Sequence, residues 1–151
     1  MDKFQEAELK GRTVVENMIK GKVYDYEFTK DPYYPIDLFI TGHNGTSAVE
    51  IKNRRPYTSE QIENFGGHYI MKHKWDDLME AKEKSGYTPY FLAIFKDVIT
   101  IWDLTTIEPM WKRKEFERNN IDNHTLKEYD YTELHLSSAT KTYKTEKYEN
   151  P

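Results

Sequence analysis

Asp37, Glu50 and Lys52 are the residues of this chain whose types and spacing best suit chemistry. Two carboxylates and an ammonium converging on one spot fit a divalent cation and a phosphodiester far better than they fit a protein core. Mg²⁺ or Mn²⁺ prefers oxygen ligands and keeps several waters, so two carboxylates and a phosphate oxygen suffice to hold it. Such an ion polarises a phosphate and lowers the pKa of a bound water. A nearby lysine can orient that water and offset the negative charge that builds up as it attacks.

The three side chains meet only if a hairpin brings them together. Asn44-Gly45 predicts a two-residue type I′ turn, in which both central residues take positive φ. His43 then pairs with Thr46, Phe39 with Glu50 and Asp37 with Lys52. Cross-strand partners share a face and successive residues alternate. Asp37, Phe39, Glu50 and Lys52 therefore point one way, and the apolar Leu38, Ile40, Val49 and Ile51 the other. A turn at His43-Asn44 instead sets Asp37 opposite Glu50 and still gathers all three charged groups.

Composition bounds the remaining possibilities. At 151 residues the chain is long enough to bury a real core. It is polar, with a mean hydropathy of −0.90, but 12 Tyr, 7 Phe and 3 Trp compensate for its few aliphatic residues. The net charge of −4 argues against indiscriminate polyanion binding, so any nucleic-acid contact must come from a local basic patch. With no cysteine, disulfides, thiolate metal sites and thiol nucleophiles are excluded. The amino terminus lacks a signal-peptide pattern and no run reaches membrane-spanning length, so a cytoplasmic location with no membrane partner is expected.

The elements that position the hairpin are readable in outline. Phe4, Ala7, Gly11, Val14, Val15 and Met18 form one stripe, predicting a helix over 4–20 that Gly21 ends. Residues 22–29 have strand propensity, and Asp31-Pro32 breaks them. Pro56 closes the Lys52 strand. Thr58-x-x-Gln61 is a capping box that opens a helical region running to Lys84, with a kink or break near Gly66-Gly67 and a stop at Ser85-Gly86. Residues 88–95 and 98–104 make a second hairpin, and 129–136 a further strand. Residues 1–136 thus form the expected domain, and 137–151 read as a flexible tail.

This α-β-β-β-α-β-β order, with the Asp…Glu-x-Lys hairpin inside it, resembles the PD-(D/E)xK nuclease superfamily. The resemblance covers roughly residues 4–104. It implies an α/β restriction-endonuclease-like core, a mixed central sheet flanked by helices, and a deoxyribonuclease that uses Mg²⁺ or Mn²⁺. It further implies Asp37 and Glu50 as metal ligands, joined by the backbone carbonyl of Ile51, with Lys52 positioning or activating water. Pro35 stands two residues before Asp37, so the literal Pro-Asp dipeptide is absent. Family members often add a glutamate from the first helix, and Glu8, which flanks the apolar stripe, is the choice over Glu6 and Glu16.

Arg54 and Arg55 continue the strand into a basic run suited to phosphate contacts, and Lys72 is a further candidate for DNA binding. Lys72-His73-Lys74-Trp75 and Trp111-Lys112-Arg113-Lys114 interleave basic and aromatic residues. Gln61 is explained by its capping box. His68 and His73, five apart, do not share a helical face, so no zinc site is expected. Two other classes compete: a noncatalytic nuclease-fold module that binds nucleic acid or protein, and an unrelated interaction domain with a surface charge cluster. The expected partner is DNA, with a homodimer or a targeting protein as a further possibility.

Overall fold

A computed structural model describes residues 2–31, 33–119 and 124–149; Pro32, expected as a strand breaker, lies outside the described residues. Helix α1 (Lys3–Ile19) is followed by strands β1 (Asp25–Phe28), β2 (Leu38–Gly42) and β3 (Gly45–Arg54). The short helix α2 (Ser59–Asn64), strand β4 (His68–Met71) and helix α3 (Lys72–Ser85) lead to β5 (Thr88–Phe95) and β6 (Val98–Asp103). Strands β7 (Lys112–Asn119), β8 (His124–Leu134) and β9 (Lys141–Lys144) and the turn-length helix α4 (Glu146–Glu149) complete the described chain.

Six strands form a mixed sheet in the order β1-β2-β3-β5-β6-β9. Only β3 and β5 run parallel, and the excursion through α2, β4 and α3 supplies the crossover that a parallel pair needs. On one face, Val14, Val15 and Met18 of α1 pack on Leu38, Val49, Ile51, Leu92 and Ile94. On the other, Trp75 and Leu78 of α3 pack with Ala48, Phe91, Phe95 and Trp102. The run Tyr90-Phe91-Leu92-Ala93-Ile94-Phe95 is apolar throughout because β5 is covered on both faces. This α/β architecture is the expected mixed central sheet flanked by helices. No helix among the described residues is long and apolar enough to cross a membrane.

The hairpin adopts the second of the two expected registers. Gly42 pairs with Gly45 and Leu38 with Val49, leaving His43-Asn44 as the turn. Among the described residues no non-glycine takes positive φ, so Asn44 does not make the type I′ turn; Gly45, at φ 113°, supplies the left-handed step. From Leu38 onward the two faces keep the compositions read from the sequence, since either register preserves the alternation; Asp37 stands before the paired strand, and Ile36 and Leu38 on either side of it pack on opposite faces.

Two expectations are corrected. The region after Thr58 breaks at Gly66-Gly67 as expected, but a strand rather than helix follows the break. Gly66 and Gly67, at φ 101° and 93°, end α2, and β4 pairs with β8 before α3 begins. Together β4, β8 and β7 form a second, three-stranded sheet. The carboxyl-terminal stretch is not a flexible tail through its described residues. β9 covers the edge of β6, and the buried Thr145 hydroxyl donates to the Phe95 carbonyl at 2.7 Å. Tyr148 places its carbonyl on the Asn17 amide, tying α4 to α1.

Candidate active site

Asp37 stands immediately before β2, and its backbone N–H donates to the carbonyl of Val49 at 3.2 Å, the residue that already pairs with Leu38, so two residues here oppose one of β3. Its side chain then takes the place of the next strand residue: Oδ2 accepts from the Ile51 N–H at 2.9 Å. The N–H and C=O of a strand residue leave the backbone on the same side, so the Ile51 carbonyl also faces the gap beyond the start of β2. Oδ1 lies 3.5 Å from Nη2 of Arg12, whose Nη1 donates to the Thr29 carbonyl at 2.6 Å. Asp37 is thereby fixed from both sides while keeping unused acceptor capacity on each oxygen.

Glu50 points to the α3 side of the sheet and is 2% exposed. Its Oε1 lies 3.5 Å from both Lys52 Nζ and Lys74 Nζ. Lys74 also donates to the Pro35 carbonyl at 3.2 Å, which anchors it over the carboxylate. Oε2 is buried and has no hydrogen-bond partner. Burial pushes the Glu50 carboxyl up to about 7; Asp37 adds to the rise, and the two lysines work against it. An orphaned carboxylate oxygen in this setting costs free energy unless something positive meets it.

Strand alternation separates the basic residues that follow. Lys52 and Arg54 share the Glu50 face. Asn53 and Arg55 point to α1 and α4: Asn53 Nδ2 donates to the Ala7 carbonyl at 2.8 Å, and Arg55 pairs with Glu149 at 3.3 Å. Gly11 makes the approach of α1 possible, since a Cβ there would sit 3.3 Å from the Asn53 Cβ. That approach sets Glu8 between two clefts. It lines one with Arg12, Thr29 and Asp37, and the other with Ile51, Lys52 and Arg54.

The structure therefore brings Asp37, Glu50, Ile51, Lys52 and Arg54 to the end of β3 that runs past the start of β2, with Glu8 in the clefts on the α1 side. It does not bring Arg55 or Lys72 there. Lys72 Nζ pairs with Asp76 at 2.9 Å and sits over the Trp111 ring. Gln61 and Thr58 form the capping box expected of them. Two residues were missed from sequence. Lys74 belongs to the basic-aromatic run, but its direction depends on where α3 starts. Arg12 lies one turn after Glu8, and that i, i+4 spacing was a usable signal.

Among the described residues no group of three or more histidine, aspartate or glutamate side chains clusters as a metal site. The donors that do converge, two carboxylates and a strand carbonyl, are the oxygen types that Mg²⁺ or Mn²⁺ selects, and the unpartnered Glu50 Oε2 fits a cation.

No protein-family model matches the chain, and no curated protein matches it. Among solved structures, the chain is similar to Hjc, a Holliday junction resolvase of Archaeoglobus fulgidus, an archaeal hyperthermophile. The two are 12% identical, with 82% of this chain and 94% of that chain covered and a TM-score of 0.49.

Proposed function

We propose that this protein is a metal-dependent nuclease that hydrolyses DNA phosphodiester bonds. The observation that carries the reading is the environment of Glu50: a buried carboxylate beside Asp37, with one oxygen unpartnered and two lysine ammoniums 3.5 Å from the other. A merely structural ion pair would satisfy both oxygens, because a half-paired buried charge is costly. Here the unmet oxygen belongs to a carboxylate that Asp37 stands close enough to perturb.

Asp37 and Glu50 would hold Mg²⁺ or Mn²⁺, with the Ile51 carbonyl as a third oxygen; Glu8 lines the neighbouring clefts but does not cluster with the two carboxylates. When bound, the ion polarises the scissile phosphate and makes an attacking water more acidic. Lys52, partly exposed at the rim, orients that water and offsets the charge accumulating on the phosphate oxygens. Lys74 holds the Glu50 carboxylate in place and adds a second positive charge behind it. Arg12 fixes Asp37, and the Ile51 N–H sets its rotation. Arg54, on the same face, contacts a flanking phosphate and so positions the strand.

The test is a Mn²⁺ calorimetric titration of the wild type and of Asp37→Ala/Glu50→Ala, alongside cleavage of plasmid DNA in Mg²⁺ or Mn²⁺. Saturable binding and cleavage lost together in the double variant are expected. Equal Mn²⁺ binding by both proteins would remove the metal site. Intact binding without cleavage of duplex, nicked, branched or single-stranded DNA would remove the catalytic function.

A further inference from the structure

The β4-β8-β7 sheet sorts its side chains by face. Cross-strand pairing places Lys112 beside Tyr131, Lys114 beside Tyr129, Phe116 beside Lys127 and Met71 beside Tyr131. The opposite face pairs Arg113 with Asp130 and Glu115 with Glu128. One face is thus aromatic and basic, whereas the other carries most of the acids.

The aromatic face is not core. The sheet buries its other face through Ile70 and Leu134, which join the hydrophobic cluster around Trp75 and Trp102. The outer rings instead pack on each other. Phe116 lies 5.0 Å from Tyr69, 5.4 Å from Tyr131 and 6.2 Å from Tyr129, measured between ring centroids. Tyr69 remains 38% exposed. Lys114 stands 5.6 Å over Phe116, and Lys127 5.6 Å over Tyr129. The acid on this face, Glu133, is neutralised by Lys112 at 3.0 Å.

The platform adjoins the first turn of α3, the helix that carries Lys74. His73, exposed on the first turn of α3, lies 6.0 Å from Tyr129. The next residue, Lys74, reaches Glu50. A strand lying across Tyr129 would pass His73, which is close enough to Lys74 and Lys52 to feel their charge.

We propose that this outer face binds single-stranded DNA, stacking unpaired bases on Tyr69, Phe116, Tyr129 and Tyr131 while Lys114 and Lys127 meet its phosphates. Ring faces accept any exposed base, and lysines interleaved among them follow the backbone; this combination suits single strands. Duplex bases are stacked on each other and offer no ring face. The choice of DNA rests on the nuclease reading, but the binding surface does not.

The experiment is fluorescence anisotropy of a labelled oligothymidylate with the full chain in EDTA, which prevents cleavage. Phe116→Ala/Tyr129→Ala removes two rings, and is expected to weaken binding about tenfold or more. Lys114→Glu/Lys127→Glu alters only exposed lysines and leaves the packing of the fold in place. It should weaken binding at least as much and flatten the log–log salt dependence by roughly 0.7 for each lost contact. Both variants should bind Mn²⁺ as the wild type does, which separates failure of this surface from failure of the metal site. The proposal is overturned by a wild type that does not bind the oligomer, by unchanged affinity in the lysine variant, or by tenfold preference for oligouridylate. It is also overturned if sedimentation shows a wild-type dimer that the ring variant dissolves, because a second copy would then cover the face.

Discussion

Glu50→Gln isolates the cost of holding a charge in the site, because glutamine keeps the shape of the side chain and loses its ionisation. In the folded protein the Glu50 carboxyl rises from 4.5 to about 7, chiefly through burial. Between those values the folded state binds more protons than the unfolded state, so stability falls as pH rises. The contribution is fully present below about pH 4.5 and is lost as pH rises through about 7. At 1.36 kcal/mol per pKa unit the whole loss is roughly 3 kcal/mol. Glutamine removes that loss, and the attraction of Lys52 and Lys74 for the carboxylate is already contained in the net shift. The variant should therefore be roughly 3 kcal/mol more stable than the wild type near pH 8, and close to it near pH 4.5. Urea unfolding in EDTA across this range measures the difference directly. A variant less stable than the wild type near pH 8, or one with an unchanged pH dependence, would refute the reasoning.

Three further predictions follow from other parts of the molecule. His68 is packed against Phe91, Phe95 and Trp102 with neither ring nitrogen hydrogen-bonded, and burial pushes it down to about 3. Its folded state binds fewer protons than the unfolded state between about 6.5 and 3, so stability is lost on acidification; His68→Phe should lessen that loss, read by urea midpoints near pH 5 and pH 8. Arg54→Ala should weaken duplex binding and lower its salt slope by roughly 0.9, whereas Arg55→Ala should leave the slope unchanged and cost at most ~1 kcal/mol of stability. Thr145→Val removes the buried hydrogen bond to Phe95 and should cost about 1–2 kcal/mol in thermal or urea unfolding.

The parts of the fold legible in the sequence were those where burial imposes a period. The alternation of Leu38, Ile40, Val49 and Ile51 against Asp37, Glu50 and Lys52 identified both faces of the hairpin. Its register was less accessible, because it turns on whether Asn44 takes positive φ, and Gly45 alone does so. β4 is four residues long, too short for alternation to compete with the helical pattern around it. Missing it hid the start of α3, and with that start the direction of Lys74. β7, Lys-Arg-Lys-Glu-Phe-Glu-Arg-Asn, has little apolar content, so its strand character depends on pairing with β8. β9 and α4 read as a tail by composition. They are held by edge pairing to β6, the buried Thr145 and contacts with α1, none of which gives a hydrophobic period.

The site was legible where one strand pair supplies it and obscure where distant elements contribute. Asp37, Glu50 and Lys52 required only local geometry. Arg12 and Lys74 arrive from the helices on either side of the sheet, and their placement depends on packing such as the close approach at Gly11.

The most direct test of the central claim is the single-turnover cleavage rate of Lys52→Met in saturating Mn²⁺, set against the wild type. Methionine keeps much of the apolar stem while removing the charge and donors, and the carboxylates remain to bind the ion. Lys52→Met is expected to fold, to bind Mn²⁺ still and to cut at least 10²-fold more slowly, about 2.7 kcal/mol at the barrier. A folded Lys52→Met protein that cleaves DNA as fast as the wild type would contradict it.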